Sequence, residues 1–393
     1  MNKLIYIVDD KAEMRDMLQM ILQSGNPAWE VRGFGEPGAL IAAVAERPPD
    51  MVISDFSMPG MKGTEVQDKI REISPSTIRL LLSGGIPNLS RIASAHQFIA
   101  KPFQMKEVIT VVTNSLRAQE WLRQHPRLGD IISGLRSLPV VPAVFHRLIG
   151  LLDQDNSSTD EIAQLLAKDG GIMTRIIQLS NSSLFNHGAA VTSPEEAILC
   201  LGLQNIKAVV LSLHVFDSYG SLGFPEAPVQ GVWLHCLETA QLAEELCRKM
   251  QAREDATNAF LAGLLHDLGQ LVLMENARDQ YRQVYQQAAA GGRPLQEVEH
   301  EILGLRSAEI SAFLIALWGM PAAAADAIAS HRAPWETAHP KFNAADALYV
   351  ANILARRKHC PDHLETPALD EDYLKSIGAA EVINDWVASS SPL

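Results

Sequence analysis

Cysteine is scarce in this chain. Four occur in 393 residues, at positions 200, 236, 247 and 360, and no two form a CxxC pair. That excludes zinc ribbons and CxxC redox motifs. Cys200 and Cys236 stand among apolar neighbours and read as reduced core thiols. Long apolar runs are missing as well. None approaches the ~20 residues that a membrane span needs. The apolar run in MNKLIYIVDD ends at two aspartates, too soon for a signal peptide. A cytoplasmic location without membrane contact is therefore expected. Basic residues are outnumbered: 33 Lys and Arg face 46 Asp and Glu, for a net charge of -13. Nucleic-acid binding usually needs a basic surface, so no nucleic-acid partner is expected. The one dense basic cluster, Arg356-Arg357-Lys358-His359, reads as a solvated helix end, where cations suit the last turn. Internal repeats are absent, and only the Ser389-Ser390-Ser391 tail is of low complexity.

What is present changes character along the chain. The first ~115 residues alternate short apolar runs with amphipathic segments. Strands are expected at 4–8, 29–34, 51–54, 78–82 and 97–100. Helices are expected at 12–23, 38–45, 64–73 and 104–124. Short apolar strands alternating with helices predict a doubly wound α/β fold, a five-stranded parallel sheet covered on both faces. From about residue 138 the pattern is almost wholly helical, rich in Ala, Leu and Ile. Asn156-Ser157-Ser158-Thr159 and Thr192-Ser193-Pro194 carry helix N-cap chemistry. The expected organisation is an α/β domain over 1–118, a connecting helix over 119–137 and a helical domain over 138–393, its core at about 138–340.

Polar residues close several of the expected strands: Asp9 and Asp10, Asp55, Ser83 and Lys101. In such sheets the carboxyl ends of the strands form the ligand crevice, so these residues should converge on one rim. Three crowded carboxylates repel unless a cation lies among them. Mg²⁺ takes oxygen ligands, and Asp10 and Asp55, with Asp9 through water, fit that demand. Asp55 can then accept a phosphoryl group as a carboxylate nucleophile. Lys101 and the Ser83 hydroxyl would hold its oxygens, since phosphoryl transfer rests mainly on positioning and electrostatics.

The segments VDD at 8–10, SDFSMPGMKG at 54–63, LLLSGG at 80–85 and FIAKPF at 98–103 resemble the receiver domain of two-component response regulators. That resemblance implies a flavodoxin-like fold with Asp55 as phosphoacceptor and Asp9, Asp10, Asp55 and the Ser57 carbonyl as Mg²⁺ ligands. It further implies Ser83 as switch hydroxyl, Phe98 as switch aromatic, Lys101 as the phosphate-pairing lysine and a cis Lys101-Pro102 bond. A sensor histidine kinase would be the phosphoryl donor.

LPVVPAVFHRL at 138–148, Asn181-Ser182, AILCLGLQNIKAVVL at 197–211, WLHCLETAQLAEEL at 233–246, FLAGLLHDLGQLVL at 260–273 and LWGMP at 317–321 resemble an HDOD domain, a relative of HD-type metal phosphohydrolases. HD hydrolases hold metal with a His, a His-Asp pair and a distal Asp. The corresponding residues here are His235, His266, Asp267 and Asn352. Asn352 replaces the distal carboxylate, Ser307 stands where relatives often carry His, and His331 is followed by Arg332 rather than by a second His. This pattern allows two readings. In one, the helical half signals by protein–protein interaction to a downstream partner, with homodimerisation as one route. In the other, it is a phosphorylation-gated phosphodiesterase for a cyclic dinucleotide or other nucleotide. The incomplete ligand set favours the first, without a second metal.

Overall fold

A computed structural model describes residues 3–84, 95–124, 126–135, 138–139, 141, 143–152, 158–182, 184–185, 188, 190–225, 227–337, 339, 341–359 and 366–389. They divide into two compact units. One holds residues up to 153 together with 313–319, and the other holds 154–312 and the residues from 320 onward.

The first unit is built on five strands: β1 (Leu4–Val8), β2 (Glu30–Phe34), β3 (Met51–Asp55), β4 (Ile78–Ser83) and β5 (Gln97–Ala100). All pair in parallel, in the order β2-β1-β3-β4-β5. The chain reverses direction across the sheet between β1 and β3. Val8 pairs with Ser54 and Ser83 with Ala100, so the polar strand ends lie along one edge. Helices α1 (Ala12–Gly25), α2 (Pro37–Glu46), α3 (Gly63–Ile73) and α4 (Met105–Gln124) supply the cover.

Strand side chains alternate between faces. Ile5, Ile7, Ile53 and Leu80 pack with Leu18 and Leu22 of α1 and with Val108 and Val112 of α4. Leu4, Tyr6, Val8 and Val52 pack with Leu40 and Val44 of α2 and with Val66 and Ile70 of α3. Burial on both faces explains why these strands read as unbroken apolar runs. The doubly wound α/β sheet expected from the sequence is thus present. After α4 the connecting stretch stays helical, with α5 (Pro126–Gly134) and then α6 (Ala143–Leu152).

The second unit is helical: α7 (Thr159–Ala167), α8 (Gly170–Ser180), α9 (Pro194–Leu201), α10 (Ile206–Ser218), α11 (Val229–Lys249), α12 (Ala256–Leu265), α13 (Leu268–Asn276), α14 (Arg278–Gly291) and α15 (Leu295–Leu303). Next come α16 (Ser307–Leu317), which straddles the division, α17 (Ala322–Ser330), α18 (Ala344–His359), α19 (Glu371–Ser376) and α20 (Ala380–Ser389).

Local chemistry sets several helix starts. Ser158 and Ser193 accept hydrogen bonds from Glu161 and Glu196 backbone N–H groups, each 3.1 Å away, and each glutamate reaches back to the serine N–H. Asp169 caps α8 through the Gly171 and Ile172 N–H groups, both at 3.2 Å. No single described helix is long and apolar enough to cross a membrane.

Helix α11 is the spine of this unit and packs against α12 and α18. Its approach to α12 depends on Gly263, where a Cβ would lie 2.5 Å from Ala240 Cα. Gly263→Val should therefore lower the unfolding free energy by about 1–3 kcal/mol through overpacking. Denaturant titration measures this, and an unchanged midpoint would show that the two helices yield.

Candidate functional site

The sheet edge assembles the first site. Asp9 and Asp55 sit just beyond or at the ends of adjacent strands, and both side chains are buried. Lys101 Nζ lies between them, 2.6 Å from Asp55 Oδ1 and 3.3 Å from Asp9 Oδ2. The cation demanded by the crowded carboxylates is thus supplied by the chain itself. The second Asp55 oxygen accepts the Ser57 N–H at 2.9 Å, and Asp9 Oδ1 accepts the Lys11 N–H at 2.9 Å. Asp10 and Ser57 are exposed. Asp9 and Asp55 bring carboxylate oxygens to one rim, with Asp10 and Ser57 close to them in the chain, and oxygen donors of this kind suit a hard divalent cation.

One glycine shapes this rim. Gly63 N–H donates to Phe56 O at 3.0 Å, and a Cβ on Gly63 would stand 2.1 Å from the Asp55 carbonyl oxygen. Only glycine lets the turn after β3 fold back on Asp55. Ser83 is buried at the end of β4, where its carbonyl accepts the Lys101 N–H at 2.6 Å. Phe98 on β5 packs inward with Leu81 and Ala95. The Lys101-Pro102 bond is cis.

A second cluster lies inside the helical unit. His235 comes from α11, His266 and Asp267 from the junction of α12 and α13, His331 and Arg332 come just after α17, and Asn352 and Arg356 lie on α18. Ligand atoms of His235, His266 and Asp267 lie within 4.8 Å of one another. His235 Nε2 is 3.1 Å from Asn352 Oδ1 and 3.3 Å from His266 Nε2. His331 and His266 pack edge to face, with ring centroids 5.6 Å apart. In each, Nδ1 donates to a backbone carbonyl at 2.7 Å, that of Ile328 or of Gly263. That contact turns Nε2 inward. The five residues expected from the sequence therefore meet.

Three further residues have roles that the sequence motifs do not announce. Arg332 approaches Asp267 Oδ1 at 3.6 Å, and Arg356 approaches Oδ2 at 3.8 Å. Arg356 Nε also donates to Asn352 Oδ1 at 3.0 Å. The solvated helix end expected at 356–359 is corrected at its first residue: Arg356 is 7% exposed and points into this centre, while Arg357 is exposed. The third is Glu299, which is buried and accepts from Tyr281 Oη at 2.6 Å and from Ser307 N and Oγ at 2.9 and 3.1 Å. Ser307 thus serves as a donor to Glu299. The clue available in the sequence was spacing, since Arg356 is one helical turn after Asn352 and Arg332 adjoins His331.

Burial drives the His235 and His331 imidazoles far below their ordinary range, so both are neutral near pH 7. Burial also pushes the Asp267 carboxyl upward, but His266, Arg356 and His235 outweigh it and hold the group well below the usual carboxylate range. At an effective dielectric of ~20, one unit charge pair ~4 Å apart is worth about 4 kcal/mol. Two guanidiniums at such range neutralise Asp267 without any added ion.

Comparison with known proteins agrees with both geometries. They define a modular protein, with a receiver-type α/β domain ahead of a helical one. The HDOD domain family model matches residues 138–334, about half of the chain, and the response regulator receiver domain model matches 5–113. The chain belongs to the HDOD family and carries an N-terminal receiver domain.

The transcriptional regulatory protein ResD of Bacillus subtilis is 34% identical over 117 residues, 29% of this chain and 48% of its own length. The DNA-binding transcriptional regulator NtrC of Salmonella typhimurium is 24% identical over 163 residues, 39% of this chain and 34% of its own. The chain thus spans half or less of the length of these curated relatives. An HDOD domain protein from Geobacter sulfurreducens superposes with a TM-score of 0.56 at 21% identity, covering 71% of this chain and 95% of that one. At that identity the likeness is one of fold.

Asp267→Ala strands two buried guanidiniums and should lower unfolding stability by about 3–5 kcal/mol. The pH dependence has a definite sign. The unfolded histidines bind protons below ~6.5 while His235 and His331 in the folded chain do not. Stability should fall as pH drops from there, by up to about 1.4 kcal/mol per unit for each. The Asp267 contribution is present above its unfolded pKa of ~3.9 and is lost only as pH falls towards its depressed folded value. Denaturant unfolding between pH 3 and 8 measures both effects, and a flat profile across pH 5–7 would contradict the histidine assignment.

Proposed function

We propose that this protein is a cytoplasmic response regulator that accepts a phosphoryl group on Asp55 from a sensor histidine kinase and signals through a non-catalytic HDOD domain. The receiver comprises residues 1–118, the connecting helix 119–137 and the output domain 138–393. The carrying observation is Lys101 poised between Asp55 and Asp9 at the ends of β1 and β3, 2.6 and 3.3 Å away.

The Asp55 carboxylate attacks the phosphorus of the kinase phosphohistidine. The P–N bond breaks as the new P–O bond forms, and the departing imidazole takes up a proton. Lys101 then pairs with a phosphoryl oxygen, the Ser57 N–H donates to the acceptor carboxylate, and the Ser83 hydroxyl turns towards the phosphoryl group as Phe98 repacks. Asp9, Asp10, Asp55 and the Ser57 carbonyl would hold Mg²⁺, which would supply charge neutralisation at the phosphoryl oxygens.

Phosphorylation biases a two-state receiver. The output is a change in protein–protein contact, either to a downstream partner or between two copies of the chain. Support for a non-catalytic output comes from Asn352 in place of a carboxylate and from the two arginines on Asp267.

A second reading keeps the phosphodiesterase, and the convergence of His235, His266 and Asp267 favours it. Hydrolysis assays on cyclic dinucleotides with Mn²⁺ separate the two.

With acetyl phosphate and Mg²⁺, the wild type should gain one phosphoryl group by intact mass and Asp55→Asn none. Equal uptake by both would remove Asp55 as the acceptor. Beryllofluoride should change self-association or partner capture in the wild type alone.

A further inference from the structure

We infer that the guanidinium of Arg356 occupies the role of the divalent cation at the HD-like centre, converting a metal site into a permanent internal ion pair. This rests on the non-catalytic reading of the HDOD domain and explains how the centre holds together without an ion. The donor atoms alone would suit a cation: His235, His266 and Asp267 converge, and His331 Nε2 and Asp267 Oδ1 are buried without hydrogen-bond partners among the described residues.

The charges do not suit one. A site of neutral imidazoles and two carboxylates would balance a divalent ion. Here the second carboxylate is the amide of Asn352, and its oxygen is already engaged by Arg356 Nε at 3.0 Å and by His235 Nε2 at 3.1 Å. The same guanidinium reaches Asp267 Oδ2 at 3.8 Å, and Arg332 reaches Oδ1 at 3.6 Å. Both oxygens of the one remaining carboxylate therefore face a fixed positive charge. Arginine stays protonated, so neither charge is relieved by losing a proton. A divalent ion entering this donor set would meet two like charges and a single carboxylate. Glu299 is not a spare ligand for such an ion, because both of its oxygens accept from Tyr281 and Ser307.

The residues also act as a unit. Asn352 and Arg356 share one face of α18 at i and i+4. From one turn on, Arg356 bonds the Asn352 amide oxygen and still reaches Asp267. The result ties α11, the α12–α13 junction, the end of α17 and α18 together.

The test measures metal retention in the full chain. Wild type, Asn352→Asp and Asn352→Asp/Arg356→Met are incubated with Mn²⁺, desalted and assayed for bound metal, with circular dichroism to check folding. Wild type and Asn352→Asp should lose the ion, because Arg356 remains in place in both. The double variant should retain it, with an affinity at least about 100-fold tighter than wild type. Stoichiometric retention by wild type or by Asn352→Asp overturns the inference, and so does a folded double variant that retains none. If the double variant does not fold, Asn352→Asp decides alone, since it restores the carboxylate and keeps the guanidinium. Metal retained by wild type without phosphodiester turnover sinks this inference and leaves the signalling proposal intact. Turnover would remove both.

Discussion

Lys101 lies within 3.3 Å of two buried carboxylates, and the receiver rim depends on that contact. Parallel strands bring their ends together whatever residues they carry. Placing Asp9 and Asp55 on neighbouring strands creates a repulsion that only a cation can offset. The helical unit meets the same constraint with a different solution. Asp267 is buried beside His235 and His266, and the guanidiniums of Arg332 and Arg356 approach its two oxygens. In each half buried carboxylates fix where the compensating cations must stand, and those cations fix which elements meet.

The two solutions differ in access. At the receiver rim, Asp10 and Ser57 are exposed and the compensating charge is a lysine on a flexible stem, 21% exposed. A compact ammonium can shift to a phosphoryl oxygen when one arrives. In the helical centre the arginines are largely buried and hold both carboxylate oxygens. Such an arrangement is a poor place for a reaction, which needs groups free to change partners. It suits a rigid element that transmits contact. The proposed division places chemistry in the receiver and transmission in the helical half.

The receiver was legible because its signals are local. Four of the five strands are short, mainly apolar runs closed or followed by a polar residue, and those closing residues are the site. The ranges expected for 78–82 and 51–54 each fall one residue short of Ser83 and Asp55, where strand and site overlap. The Gly63 requirement was invisible, because it comes from the Asp55 carbonyl folding back in space. In the helical half, His235, His266, Asp267, His331 and Asn352 could be picked out by motif. Their ionic partners could not. Arg356 sits in a run of basic residues that reads as solvated, and only the packing of α18 on α11 turns it inward. Glu299 likewise gives no sign in sequence that it is buried.

The curated relatives caution against borrowing an output. NtrC is described as DNA-binding, yet the match covers 34% of its length. ResD matches over 117 residues, close to the size of the receiver alone. A receiver is a transferable input, and function resides in the site to which it is joined. In this chain, of net charge -13, the receiver is joined to an HDOD domain. Contact with a polyanion draws its affinity from neutralised phosphates. This chain has an excess of the wrong sign, and Arg332 and Arg356 are already engaged with Asp267. That charge balance is the physical ground on which the proposed output is contact with a protein rather than a nucleic acid.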